Sequence, residues 1–396
     1  MTNPRDFLFG PWRAVLVLGV TEILAWGTLF YTPVLIVPLI AAEHGWSISF
    51  AMGGFSVALL AAGLMAPLVG RSIDRYGGHV VMALGSLAGA FGLVLLGIAG
   101  TGVTYYAVWV LIGAAISATH YDAAFSSLGR IFGPAARRPI TALTLAGGFA
   151  STAGWPATHY LLEAVGWRGT YLIYAVVLAA VSAPLHFYFL PRSRFEAPAP
   201  NADPSAVSEI VLPAKGLPFI LVATAFAAYA FVPSGLSAHL LAIFSRTGID
   251  ATTAVWIGAL FGPAQVGARV IEFAFGRALH PLWLVRFALS VLLCAFLTIA
   301  LLGITPLIAA TFALMFGIAN GLVTITRGAV PLALFGATGY GRLMGRIAAP
   351  YWLMQSAAPL VMALVIEHSG DAAALALAAA FAAAALVCFA AIRKPA

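Results

Sequence analysis

Five charged side chains stand inside long apolar runs of this chain: Glu22, Asp122, Arg269, Glu272 and Arg327. An ionised group is costly to hold in hydrocarbon, so such residues face a bundle interior or a wet route and mark paths for ions or substrates. Arg269 carries a planar fork of donors that matches a carboxylate or similar oxyanion through two parallel hydrogen bonds. Its competing uses are a permanent ion pair with Glu272 or Glu22 that ties helices together, or a snorkelling cation. Glu22, near mid-depth, is suited to carrying a coupling proton because burial penalises its charged form; the other reading is a buried ion pair with an arginine. Asp122 follows His120 and Tyr121. Asp122 and Arg327 can pair and part as a gate, or be satisfied separately. His120 is either a proton relay or a hydrogen-bonded core histidine. Trp26, Tyr31, Tyr229, Tyr351 and Gln355 complete a candidate polar and aromatic lining, with plain packing as the alternative.

Positioning these groups requires helices that live in lipid. Of 396 residues, 62% are hydrophobic and 8% charged, against about a quarter charged in soluble domains, and the mean hydropathy is +1.01. A spanning helix takes about 20 apolar residues. The hydropathy places spans at 13–41, 49–70, 79–99, 104–132, 139–164 and 168–190, then at 217–245, 251–276, 282–303, 305–336, 340–367 and 371–392. The expected fold is therefore an all-α membrane protein with twelve transmembrane helices in two six-helix bundles, residues 1–190 and 217–396. The stretch 191–216, with five prolines and mixed charge, reads as a cytoplasmic linker. The first apolar run is too long for a signal-peptide core and reads as a retained span.

Loop charges orient the chain. If the N-terminus is cytoplasmic, that side gathers sixteen Lys and Arg, among them Arg5, Arg194, Arg277, Arg393 and Lys394, and the other side only Arg168 and Arg246. The positive-inside rule then predicts an inner-membrane protein with both termini cytoplasmic. So little polar chain remains that an ATPase, kinase or nucleic-acid module is excluded, and the net charge of +7 belongs to the loops. Lys215 and Lys394 are the only lysines and neither sits in a phosphate-binding loop. Cys294 and Cys388 lie in apolar runs, and no metal-ligand cluster or hydrolase motif occurs. The expectation is no enzyme activity, no cofactor and no metal, with a small-molecule substrate, protons or a counter-substrate and the lipid bilayer as partners, no nucleic acid, and a monomeric state.

The halves read as a duplication. One offset of 203 carries Gly45 onto Gly248, Phe132 and Gly133 onto Phe335 and Gly336, and Pro156 onto Pro359, and brings Asp122 within two positions of Arg327. Between the second and third spans, Gly70-Arg-Ser-Ile-Asp74-Arg75-Tyr-Gly77 resembles the G-x-x-x-D-R-x-G loop of the major facilitator superfamily, with Gly78 and His79 in place of the usual basic pair. At the same offset the second copy has Arg277 where the first has Asp74. Arg137-Arg138 before a small-residue helix, Gly166-Trp-Arg and Glu43-His-Gly-Trp46 are similar to the monocarboxylate porter and oxalate/formate antiporter branches.

The resemblance implies a secondary transporter that works by alternating access. It implies a loop that latches the cytoplasmic helix ends, with Asp74 at a helix N-terminus and Arg75 bridging to a neighbouring helix end. It also implies an eighth-span arginine, Arg269, that binds a substrate carboxylate. Gln265 stands where those porters carry an Asp, and no lysine accompanies Glu22 on the first span. The expected cargo is a small organic anion such as a monocarboxylate, moved with proton or exchange coupling. The alternative is a proton-driven efflux pump for a drug or other toxic compound, of which Gly154-Trp155-Pro156 is a partial signature.

Overall fold

The computed structural model describes residues 10–193, 214–276 and 279–392; Arg5, Arg194, Arg277, Arg393, Lys394 and most of the linker, 194–213, lie outside the described residues. Among the described residues the chain is helical and holds no strand. The helices are α1 Arg13–Ala25, α2 Pro33–His44, α3 Ile48–Tyr76, α4 Gly78–Ile98, α5 Gly102–Thr119, α6 Tyr121–Phe132, α7 Arg137–Gly147 and α8 Ala150–Val177. They continue as α9 Gly216–Arg246, α10 Ala251–Ala259, α11 Phe261–Phe275, α12 Pro281–Leu302, α13 Pro306–Phe335 and α14 Tyr340–Ala391.

Nine helical stretches among the described residues are long and apolar enough to cross a membrane. Two are too long for one crossing: Gly102–Phe189, with 88 residues, and Tyr340–Ala391, with 52. Gly133, Gly166 and Gly370, at φ 56°, 71° and 82°, interrupt them, a left-handed backbone that favours glycine. Divided there, the spans are consistent with twelve crossings.

Five spans expected to run unbroken do not: the fifth parts between α7 and α8, the sixth widens into π-helix over Leu178–Ser182 and Leu185–Phe189, and the first, eighth and fourth are interrupted as well. The first widens into a π-helix over Trp26–Tyr31. Pro33 has no N–H to continue the ladder there, and the Thr32 hydroxyl donates to the Gly27 carbonyl at 2.6 Å. The eighth parts between α10 and α11, because Pro263 cannot donate to the carbonyl of Ala259, four residues back. The fourth breaks at His120, which is extended at ψ −176°, although no proline or glycine stands within four residues of it.

The chain forms two compact units, residues 1–208 with 337–349, and 209–336 with 350–396. The 203-residue step reappears in their local geometry. Ser47 and Asp250, one step apart, cap α3 and α10 by accepting from the backbone N–H of Phe50 and Thr253. Hydrogen bonds from the Thr253 side chain and then from its backbone N–H hold the Asp250 carboxyl below its ordinary range. Gly45 and Gly248 both have positive φ, as do Gly133 and Gly336. Glu43 is held by Arg168 at 2.5 and 2.7 Å and by the Trp167 indole N–H at 2.8 Å. One step on, Arg246 binds Asp371 at 2.6 and 2.8 Å, with the two charges exchanged.

In the second unit the sequence Gly317-x-x-x-Gly321 brings α13 backbone to backbone with α11. A Cβ on Gly321 would lie 2.5 Å from the Gln265 carbonyl oxygen, and one on Gly317 2.6 Å from that of Phe261. Small residues at this spacing let membrane helices approach closely. Gly321→Ala is therefore expected to destabilise the protein by about 1–3 kcal/mol through overpacking. Gly267→Ala, on α11 with open space around it, serves as the neutral control. Thermal unfolding in detergent checks this, and equal transitions for the two variants would contradict the close packing.

Candidate functional site

The α11–α13 approach sets up a polar cluster in the second unit. Tyr229, buried on α9, donates from its hydroxyl to Asn320 Oδ1 at 2.5 Å, and Asn320 Nδ2 in turn donates to Gln265 Oε1. Arg269 follows Gln265 by one turn of α11, is 2% exposed, and directs Nε toward the Gly321 carbonyl at 3.4 Å. Gly321 has no side chain to stand in the way. Arg327, two turns beyond Asn320 on α13, is buried, with its guanidinium carbon 4.1 Å from the centre of the Tyr351 ring. The Tyr229 hydroxyl lies in the field of Arg269, Arg327 and Tyr351 together. Glu272 is buried one turn beyond Arg269.

Farther along α14, Pro359 has no N–H for the Gln355 carbonyl, which instead accepts the Ser234 hydroxyl at 2.7 Å. The Gln355 Oε1 atom is buried with no hydrogen-bond partner among the described residues. Chemically, this cluster offers two guanidiniums, a phenol and a row of amides, a donor-rich set suited to an anion.

The first unit holds the remaining candidates. Glu22, fully buried on α1, accepts from the Trp26 indole N–H at 2.8 Å. Trp26 opens the π-helical stretch and packs on His120 at 4.6 Å and Tyr121 at 5.4 Å between ring centres, so the widened first span abuts the break in the fourth. Tyr31 meets Trp26 at 6.0 Å and Trp155 at 5.9 Å. Asp122 is buried in the first turn of α6. Glu22, Trp26, Tyr31 and His120 thus gather in one place, and Tyr229, Gln265, Arg269, Arg327 and Tyr351 in another.

Three groups escape the sequence reading. Asn320 joins Tyr229 to Gln265, and its only signal is its place within the Gly317-Gly321 repeat. Ser117 lies just before the fourth-span break. His186, fully buried in a π-helical stretch of the sixth span, bridges the Ser86 and Thr21 hydroxyls at 3.2 and 2.9 Å.

The loop after α3 is built on close approach. Asp74 accepts from the backbone N–H of Gly341 at 2.9 Å and Arg342 at 2.7 Å, at the first turn of α14. A Cβ on Gly70 would lie 2.0 Å from the Gly341 carbonyl oxygen, and one on Gly345 2.3 Å from that of Ala66. Gly77, at φ 87°, makes the turn into α4. Arg75 lies over the Tyr76 ring at 5.1 Å, and the arginine that reaches the end of α3 is Arg130, which donates to the Asp74 carbonyl. Asp74→Ala removes the acceptor of two helix-terminal donors and is expected to cost about 0.5–2 kcal/mol, with Asp74→Asn between it and the parent. Thermal unfolding of the two variants measures this, and no loss in Asp74→Ala would exclude the capping role.

The sequence matches the family described as Major Facilitator Superfamily over residues 18–345. The fold is similar to that in the crystal structure of the human organic anion transporter MFSD10 (TETRAN), with a TM-score of 0.72 and 19% identity, covering 98% of this chain and 100% of that one. It is also similar to the proton:xylose symporter XylE bound to 6-bromo-6-deoxy-D-glucose, with a TM-score of 0.67 and 12% identity, covering 95% of this chain and 94% of that one. No curated protein sequence matches.

Proposed function

This chain belongs to the Major Facilitator Superfamily and is thus a multi-pass membrane protein of the secondary-transporter class, and from that premise we propose that its cargo is a small organic anion, such as a monocarboxylate, held by Arg269. The observation that carries this reading is that two buried guanidiniums, Arg269 and Arg327, stand in the same unit as the Tyr229–Asn320–Gln265 hydrogen-bond chain. A guanidinium fork matches a carboxylate through two parallel hydrogen bonds, a geometry that a sugar or a cation does not offer it. The similar human protein is named for transport of organic anions, which agrees with the cluster's chemistry.

In this reading the bundles 1–190 and 217–396, joined by the linker 191–216, alternate access by rocking. Gln265, Tyr229, Tyr351 and Gln355 orient the anion, while Trp26 and Tyr31 line its route. Glu22 carries the coupling proton, with His120 beside the same indole. Asp122, Arg327 and Glu272 are charges whose pairing changes during the cycle. The Gly70, Asp74, Arg75 and Gly77 loop latches the cytoplasmic end, in an inner-membrane monomer with both termini cytoplasmic.

The test is a thermal-shift screen of the purified protein against mono- and dicarboxylates, sugars, cationic drugs and metalloid oxyanions. Carboxylates are expected to raise the unfolding temperature in a saturable way, because a ligand that binds only the folded state stabilises it. Stabilisation by cationic drugs alone would overturn the reading in favour of proton-driven efflux.

A further inference from the structure

The π-helical stretch of the first span, Trp26–Tyr31, has two distinct sides: Gly27, Thr28 and Leu29 are buried, and Trp26, Phe30 and Tyr31 are not. A π-turn closes its hydrogen bonds five residues apart instead of four, so Phe30 and Tyr31 both come round to the side of Trp26. Their ring centres lie 4.7 and 6.0 Å from that of Trp26 and 5.5 Å from each other. A regular α-turn would bring only Phe30, four residues on, to that face. Neighbouring spans extend the group. Phe55 of α3 meets Phe30 at 5.4 Å, and Trp155 of α8 meets Tyr31 at 5.9 Å. Trp155 is within reach because the first and fifth spans touch through glycines, a Cβ on Gly154 lying 2.9 Å from the Gly27 Cα.

Rings that only fill the core of this unit are closed off: Tyr105 with Trp109, and Tyr121 with Phe125, pair and are buried. Trp26, Phe30, Tyr31 and Phe55 are instead half-buried, and Trp155 is 50% exposed. Nor is this the lipid side of the first span. The exposed aliphatic residues of α1, Leu16 and Val20, stand one turn apart and form a separate stripe. Glu22, two residues past Val20, is fully buried and shares its face with Trp26, whose indole N–H it accepts at 2.8 Å. A face that carries a carboxylate turns to the interior or to a wet route rather than to acyl chains.

We propose that this face holds a flat aromatic ring of the cargo, which with the anion reading makes the cargo an aromatic carboxylate. The proposal rests on the anion reading for the charge and not for the ring. Tyr31 with Trp155, Phe30 with Tyr31 and Phe30 with Phe55 stand edge to face, at interplanar angles of 80°, 85° and 75°. One more aromatic ring extends that pattern and gains energy beyond the area it buries. A saturated ring of the same size gains the area alone. An organic cation is held by ring faces turned toward it, and rings set edge to face do not turn theirs to one point.

The experiment measures binding to the purified full-length protein by thermal shift and equilibrium titration, using aromatic and saturated probes matched in size. The pairs are benzoate with cyclohexanecarboxylate, benzyl alcohol with cyclohexylmethanol, and benzylamine with cyclohexylmethylamine. The ratio within a pair reports on the ring, and the ranking between pairs reports on the anion reading. Benzoate is expected to bind about fivefold more tightly than cyclohexanecarboxylate. Phe30→Leu and Trp155→Leu are each expected to bring that ratio close to one, whereas Arg269→Gln weakens both acids together and leaves the ratio in place. Trp155→Leu, at an exposed position, carries this decision even where Phe30→Leu fails to fold. If the two members bind alike in every pair, or if the ratio survives unchanged in Trp155→Leu, the ring site is overturned, and the affinity of the acids still judges the anion reading by itself. An aromatic preference confined to benzylamine overturns the carboxylate and leaves a cation as the occupant of this face.

Discussion

Replacing Arg269 with either Lys or Gln is expected to lower carboxylate counterflow in proteoliposomes by about a hundredfold or more. Truncating one partner of a buried, hydrogen-bonded charge pair costs about 2–5 kcal/mol, and each 1.4 kcal/mol is about tenfold in affinity. Lysine fares little better than glutamine because it keeps the charge but loses the two-pronged fork. Arg269 directs Nε toward the Gly321 carbonyl, and in this reading its planar fork meets the anion. A purely structural arginine gives a different pattern, in which both variants lose thermal stability without ligand. Under the binding role the ligand-free transition stays near that of the parent while the carboxylate-induced shift disappears. Undiminished counterflow in both variants would remove Arg269 from the binding site.

Glu22→Gln is expected to abolish proton-driven accumulation while leaving exchange of internal for external solute intact. The substitution keeps the shape and the acceptor for the Trp26 indole N–H, which lies 2.8 Å from Glu22 Oε2, so the ring cluster with His120 and Tyr121 stays in place. What is lost is a group that can take up and release a proton in a fully buried position. Accumulation and exchange assays on one batch of vesicles separate the two effects, and normal accumulation at every pH would refute the coupling role.

The helical architecture was readable because lipid imposes it. Apolar runs separated by Arg-bearing loops marked the spans, and the spans expected at 282–303 and 305–336 are found at Pro281–Leu302 and Pro306–Phe335. The breaks were less readable, to different degrees. Pro263 is a visible reason for α10 to stop at Ala259, whereas the residues within four of His120 include no proline or glycine that would announce the break there. Charged candidates such as Arg269 and Arg327 stood out because so few charges occur in the spans. Asn320 did not, because its significance lies in three dimensions: it matters through a partner 55 residues away.

The exchanged signs of Glu43–Arg168 and Arg246–Asp371 bear on how a duplicated chain sorts its own parts during assembly. Each pair is substantially exposed to solvent and adds little to stability. If the end of the first span docked instead beside the start of the last, Glu43 would meet Asp371, and Arg246 would meet Arg168. Both mistaken arrangements set like against like, so the inversion acts as a label that discourages one half from borrowing its sibling's closing helix.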